Sequence, residues 1–452
     1  MRHLLILIAC LSANYIFAQD APPKDNAPLT HIGLGEIVEQ NLSGSVGMSG
    51  LSATYRDAYH INILNPASLA ALKSTAYELG FFVRSTTNTT PTTATKATSG
   101  NLQYMVLGFP LKNQVNELLD KREKSPWDYG MQLSVAPYSK VGYDVTNTKT
   151  DPTLGTTTYN YKGKGGAYKF QWGTGVSYKG FSAGATIGYL FGNISANGTT
   201  ILDNSVVPNG YQNSSKTNYD LRGFIWNTGI QYDYAFKKID DKKKKVDNGK
   251  HIIVGAYGNP TTTFRSYTSE FITHVNPYYI SNSAGSYAID TFRNIVGARK
   301  NGVLPGEAAF GIMYEETDKW RIGINYVANS WNKYTNEARP GETLKASNKL
   351  SVGAEYTPNA GSFTNYWSRV RYQAGFYTGK DPRTFNGNQL KHQGFTLGLG
   401  MPLRLPRNQI SFMQVTFESG KYSIPTFTAR YYQVSFGFTL NDNGWFYKRR
   451  FD

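Results

Sequence analysis

The stretch from Tyr431 to Leu440 carries one greasy face and one small or polar face: Tyr432, Val434, Phe436, Phe438 and Leu440 alternate with Tyr431, Gln433, Ser435, Gly437 and Thr439. A period of two places these sets on opposite sides of a β-strand. The same division recurs: Tyr168, Phe170, Trp172, Val176 and Tyr178 oppose Lys169, Gln171, Gly173, Gly175 and Ser177. Phe181, Ala183, Ala185, Ile187, Tyr189 and Phe191 oppose Gly184, Thr186, Gly188 and Gly192, and Trp320, Ile322, Ile324 and Tyr326 oppose Arg321, Gly323 and Asn325. Such strands fit hydrocarbon on the apolar side and a polar or crowded interior behind it. A soluble sandwich also alternates, but it has no need of strands this long and aromatic. No run of 18 apolar residues occurs, which excludes helical membrane spans and leaves a barrel open.

Strand-like runs fall near residues 75–86, 101–110, 127–145, 158–178, 181–196, 216–236, 251–268, 303–316, 319–334, 348–358, 367–379, 391–403, 408–419 and 428–440, about fourteen in all. The chain is therefore expected to be all-β, a transmembrane antiparallel barrel of even strand number. Its 33 Tyr, 24 Phe, 7 Trp and 45 Gly, with 17% charged residues, suit aromatic girdles and tight turns. Tyr178-Lys179-Gly180, Glu316-Thr317-Asp318-Lys319 and Leu405-Pro406-Arg407 read as short turns on one side; residues 87–100, 197–215 and 269–302 read as long loops on the other. Short turns belong at the periplasmic end of such barrels, so the chain is expected in the outer membrane of a Gram-negative bacterium with both termini periplasmic. Two connections on the short side are longer. Residues 111–126 suggest an amphipathic helical turn, and the charge run 237–245 reads as a solvated tip.

Residues 1–18, with Arg2 and His3 before an apolar core and Ala18 at the end, read as a secretory signal peptide. Leu7-Ile8-Ala9-Cys10 also resembles a lipoprotein cleavage box, over a shorter apolar core. Cleavage after Ala18 leaves no cysteine, hence no disulfide and no thiol nucleophile. Residues 19–28 form a Pro-rich lead-in, and residues 29–72 are Gly-rich with neither strand nor helix period. An irregular backbone cannot face lipid, so residues 19–72 are assigned as lead-in and lumenal hatch, 73–440 as barrel and 441–452 as a periplasmic tail. Asn65-Pro66-Ala67 closes the hatch. Asn can bond free backbone groups, Pro fixes φ, and Ala allows close packing; Asn65 as N-cap of a short helix fits the same residues.

Pro137 lies in the middle of the third strand, where it cannot donate a ladder bond. A bulge or kink is expected over Ala136, Pro137, Tyr138 and Ser139, either to set curvature or to open the wall. Formal charge is +16, with the basic residues scattered through turns and no nucleic-acid motif beside them, so anionic lipid headgroups are the expected contact. No hydrolase elbow, zinc motif, P-loop or dinucleotide fingerprint is present, and no metal or other cofactor is expected. His31, His60, His251, His274 and His392 lack ligand spacing, and the chain is read as a non-enzyme.

With signal, hatch, strand count and loop asymmetry assembled, the chain resembles the FadL/TodX family of outer-membrane transport proteins over nearly its whole mature length. The local points are Asn65-Pro66-Ala67 with Leu69-Ala70, Gly108-Phe109-Pro110-Leu111, Leu304-Pro305, and Trp331 after Asn325-Tyr326. The resemblance implies a fourteen-stranded barrel closed by an N-terminal hatch, to which Asn65, Pro66 and Ala67 belong. It also implies uptake of a hydrophobic small-molecule ligand such as a long-chain fatty acid, with a lateral opening at the third-strand kink. The alternative is a related barrel serving protein secretion or surface attachment, with a polypeptide partner and no small-molecule transport. A general porin would need an open aqueous lumen, against which the hatch argues.

Overall fold

The computed structural model describes residues 27–113, 116, 125–203, 205–207, 212–239, 245–280, 286–406 and 409–445. The signal peptide, most of the lead-in, residues 114, 115 and 117–124 of the proposed helical turn, residues 240–244 of the charge run and the end of the tail lie outside them.

Fourteen antiparallel strands form the wall: β1 (Thr75–Thr89), β2 (Ala94–Pro110), β3 (Trp127–Asp151), β4 (Gly155–Tyr178), β5 (Phe181–Ile201), β6 (Gln212–Ile239) and β7 (Lys245–Asn259) come first. They are followed by β8 (Glu307–Glu316), β9 (Trp320–Asn329), β10 (Ser347–Tyr356), β11 (Arg371–Phe385), β12 (Asn388–Leu405), β13 (Gln409–Ile424) and β14 (Phe427–Asp442). β14 returns to β1, with Phe436 opposite Phe81, and closes the cylinder. Among the described residues no helix is long and apolar enough to cross a membrane.

Every strand expected from alternation is present. Phe170, Trp172, Phe224, Phe310, Ile322 and Phe436 all point outward into an exposed apolar belt, as lipid-facing residues of a barrel do. The expected outer loops are corrected. Residues 87–89 and 94–100, 197–201 and 212–215, and most of 269–302, are ladder rather than loop, because strand pairing continues beyond the belt. β7 and β8 are prolonged by the hairpin Thr262–Ile280 and Ser286–Leu304, which pairs with the upper half of β6. Both junctions contain a proline, Pro260 and Pro305, and Asn259 Nδ2 donates to the Pro260 carbonyl at 2.8 Å. The run expected over 319–334 ends at Asn329; residues 330–346 turn inward, burying Trp331, Tyr334 and Leu344. The short turns after β4 and β8 share one end of the barrel, where β12 and β13 also meet at the Leu405↔Gln409 pair.

Residues 27–72 fill the lumen. They start in the half away from the short turns, where Ala27 N–H donates to Gly142 O at 2.8 Å, and descend to the short-turn end before entering β1. Two short 3-10 turns (Pro28–His31 and Pro66–Ala71) and one helical turn (Ser43–Val46) are their only helical elements. Wall side chains satisfy much of this irregular backbone. Gln231 and Asn325 bond the amide groups of Ala53 at 2.9 and 3.0 Å, Gln373 the carbonyl of Gly44 at 2.9 Å, and Thr396 that of Gly47 at 2.8 Å. Buried backbone polar groups need such partners. A wall residue with a side chain at these levels would keep the segment away. Gly130, Gly175, Gly184 and Gly229 lie opposite one another across β3 to β6, and a Cβ on any of them would strike Leu69, Pro66 or Asn65. Gly255, Gly353 and Gly437 do the same for Ala53, Met48 and Ser43. The small inward positions seen in the sequence are the shelf on which the lumenal segment rests.

Candidate functional site: the lumen and an open seam

Asn65 is fully buried. Its Oδ1 accepts the Ala67 N–H at 3.1 Å, capping Pro66–Ala71, and its Nδ2 donates to Ala53 O at 2.6 Å. The cap and the lumenal placement therefore coexist. Pro66 presents its backbone to Gly184, and Ala67 is buried beside it.

The third strand carries the irregularity expected at Pro137. Between β3 and β4 the register slips by one residue between Pro137 and Ser139, and Ser139 Oγ accepts the Ala167 N–H at 3.3 Å. Gly166, beside the slip, has φ +150, and a Cβ there would strike the Ser139 carbonyl. On its other side β3 pairs with β2 from Pro110↔Gly130 to Met105↔Val135 and no further. Above Val135 the two strands form no ladder, and this unpaired stretch is the seam between them. The lumenal segment lies along the free edge of β3: Glu36 and Ile37 pair with Lys140 and Ser139, Val38 N–H donates to Tyr138 O at 2.9 Å, and Gln40 Nε2 donates to Pro137 O at 3.1 Å. Carbonyls that a neighbouring strand would satisfy are thus satisfied from inside. Ala136 and Ser139 are buried, whereas Leu102 at the edge of β2 is 42% exposed.

Behind the seam a cavity of about 130 Å³ runs from Leu102, Pro137 and Tyr168 inward to Glu36, Arg84 and Tyr431. Residues 37–41 separate it from a second cavity of about 200 Å³ facing Lys169, Tyr257, Glu307 and Trp331. The walls are more charged than an acyl-chain pocket needs. Arg84 Nη1 stands 2.6 Å and Lys140 Nζ 3.5 Å from the Glu36 carboxylate, and Arg84 lies over the Tyr431 ring at 4.4 Å. Burial by itself would raise the Glu36 pKa; Lys140 and Arg84 outweigh it and hold the carboxyl well below the usual carboxylate range. Glu418 accepts from Tyr377 at 2.6 Å and Tyr431 at 2.8 Å, and Glu39 pairs with Lys349.

At the short-turn end Asp57 Oδ2 bridges Arg321 and Arg371, each at 2.8 Å, and Arg321 continues to Glu355 at 3.2 Å and Glu315 at 3.1 Å. Burial would raise the Asp57 pKa, but the Arg371 and Arg321 guanidiniums drive it below its ordinary value. The sequence reading missed this cluster, although Arg321 stood out as a charge on an inward face. At the opposite end Arg339 donates to the carbonyls of Gly33 at 2.7 Å and His31 at 2.6 Å, and meets Glu342 at 2.5 Å. Burial pushes the Glu342 carboxyl up to about 7 against the pull of Arg339. An acid whose pKa is raised by folding stabilises below its ordinary pKa and loses that contribution as pH rises through the folded value. Glu342→Gln is therefore expected to raise the thermal midpoint relative to wild type at pH 8 and to leave it unchanged at pH 4; circular dichroism melts in detergent measure both.

No group of three or more His, Cys, Asp or Glu side chains able to hold a metal occurs among the described residues. His60 is buried, with Thr439 Oγ1 at 3.2 Å and Glu78 at 3.7 Å.

Strand number, closure, apolar belt and filled lumen define a transmembrane β-barrel of the FadL/TodX fold. Over residues 1–452 the chain matches the BamG family and belongs to it. The structure is similar to the Ralstonia pickettii toluene transporter TbuX (TM-score 0.53, 11% identity, 88% of this chain and 98% of that one). It is also similar to a Pseudomonas aeruginosa FadL homologue (0.52, 12%, 89% and 99%) and to the CymD monoaromatic hydrocarbon channel (0.51, 11%, 91% and 99%). At these identities the likeness is one of fold. No curated protein matches the chain in sequence.

Proposed function

We propose that the barrel passes hydrophobic small molecules at the outer membrane of a Gram-negative bacterium, with residues 27–72 as the hatch and the seam at Ala136–Ser139 as a sideways exit. The short-turn end faces the periplasm in this reading, and Thr75 and Asp442 lie there. One observation carries it: the β2–β3 ladder stops at Met105↔Val135, and a cavity reaches from that point into the lumen. A lateral route spares an apolar molecule passage through periplasmic water. Proteins of the same fold are named as a toluene transporter and a monoaromatic hydrocarbon channel, which supports the ligand class.

The cavities of about 130 and 200 Å³ are on the scale that holds one aromatic ring, since an apolar cavity of about 150 Å³ accepts benzene. A long acyl chain needs the hatch to move. Equilibrium binding of toluene and of a long-chain fatty acid to the purified protein is the test. Saturable binding, stronger for the ring and weakened in Pro137→Val, supports the reading; no saturable binding of either ends it.

A further inference from the structure

The connection between β10 and β11, residues 357–370, is the longest fully described one at the short-turn end, and it displays two large apolar side chains to solvent. Phe363 is 86% and Trp367 61% exposed. The loop that carries them is braced. Asn359 N–H donates to Ser368 O at 2.7 Å, Asn365 Oδ1 accepts the Trp367 N–H at 3.0 Å, and Tyr372 Oη donates to Trp367 O at 3.1 Å. Exposed aromatics on a braced loop are pre-organised for contact, because little side-chain or loop freedom is left to lose.

Two guanidiniums accompany them. Arg404 lies over the Phe363 ring at 5.1 Å and Arg369 over the Tyr366 ring at 5.2 Å. Both line a cavity of about 260 Å³ at the mouth of the barrel. The other cations of that cavity are already neutralised: Arg321 and Arg371 share Asp57, and Lys319 meets Glu316 at 3.3 Å. Among the described residues neither Arg369 nor Arg404 has a carboxylate partner, and Arg369 Nε is buried with no acceptor.

We infer that Phe363, Trp367, Arg369 and Arg404 form a docking site for an acidic segment of another polypeptide, one with an apolar side chain flanked by carboxylates. Arg is suited to paired bonds with a carboxylate, and Trp and Arg are the residues that dominate interface energetics. Lipid headgroups are the competing occupant. Arg404, however, alternates with Leu403 and Leu405, which face the belt, so Arg404 and the Phe363 stacked on it sit over the mouth. The inference stands apart from the passage reading: ligand binding in the lumen can fail without touching it.

A photo-reactive benzoyl-phenylalanine at position 363 of the full-length protein in cells is the test, with position 310 in the lipid-facing belt as control. One defined protein adduct is expected at 363 and none at 310, with Asp or Glu flanking the cross-linked site in the partner. R369E/R404E is expected to lower its yield about tenfold, the scale of about 1.4 kcal/mol, and Arg in place of the partner's acid to restore it. R404Q serves if the double variant does not assemble, as judged by heat-modifiable migration. No protein adduct, adducts to lipid alone, or a yield indifferent to the charge changes would overturn the inference.

Discussion

Asp57→Ala is expected to cost about 3–5 kcal/mol of barrel stability, the scale for removing one partner of a buried ion pair. Its carboxylate holds two guanidiniums at once, each at 2.8 Å, and is itself almost wholly buried. Alanine leaves Arg371 without its carboxylate, packed at 4.5 Å on Phe412, while Arg321 keeps Glu355 and Glu315. Most of the loss is thus assigned to Arg371. Asp57→Ala combined with Arg371→Met should recover a large part of it, because the uncompensated charge goes with its partner. Denaturant unfolding followed by tryptophan fluorescence measures both variants. The pH dependence has a definite sign. An acid whose pKa is depressed by folding stabilises above its ordinary value and loses that contribution as pH falls through the folded value. Asp57 starts from an ordinary 3.8 and lies below it, so the cost of Asp57→Ala should be the same at pH 7 and pH 5. A loss under about 1 kcal/mol, within the range of a surface pair, would show that the cluster is not what holds the lumenal segment down.

The wall was legible because lipid enforces it. Every position of β4, β5, β9 or β14 that meets hydrocarbon has to be apolar, so period two survives over the whole belt and the strand count follows. Beyond the belt both faces are wet. Thr86, Thr87 and Asn88 in β1 are as polar as a loop, yet they pair with Tyr431, Arg430 and Ala429 of β14, and alternation cannot report that. The lumenal segment is opaque for another reason. Its partners are side chains hundreds of residues away, as when Gln373 bonds Gly44 and Thr396 bonds Gly47, so its own sequence has no period to read. Asn65 was readable because a cap is local: its acceptor and Ala67 N–H lie two residues apart. Pro137 announced the slip with Ser139, since a missing donor is a property of one residue. The length of the seam was not announced, because it depends on where β2 stops pairing, at Met105.

Gly184→Leu is expected to displace the lumenal segment and leave the barrel standing. A Cβ at residue 184 would lie 2.6 Å from Pro66 O and 2.7 Å from Ala67 N. Both are backbone atoms of the capped turn Pro66–Ala71, so no flexible side chain can yield. On its two flanks β5 meets Gly175 and Gly229, and these too touch the segment at Pro66 and Asn65. The wall cannot shift outward without breaking its ladders, whereas the segment can shift inward by giving up its bonds to β6, Asn227 Nδ2 to Leu64 O at 2.6 Å and Asn65 Nδ2 to Ile230 O at 3.4 Å. Overpacking of this kind costs about 1–3 kcal/mol, and each wall-to-segment hydrogen bond given up adds about 1 kcal/mol. The ladders themselves lose nothing. Heat-modifiable migration should therefore be retained, while single-channel conductance in planar bilayers should rise toward that of a variant lacking residues 27–72. Gly361→Ala is the control, since the nearest atom to its Cβ is Asn359 Oδ1 at 3.6 Å, and its conductance should stay at the wild-type level. Unchanged conductance in Gly184→Leu would mean that the segment can retreat from β5 and still close the lumen, and the glycine shelf would then be a packing convenience rather than the seat of the hatch.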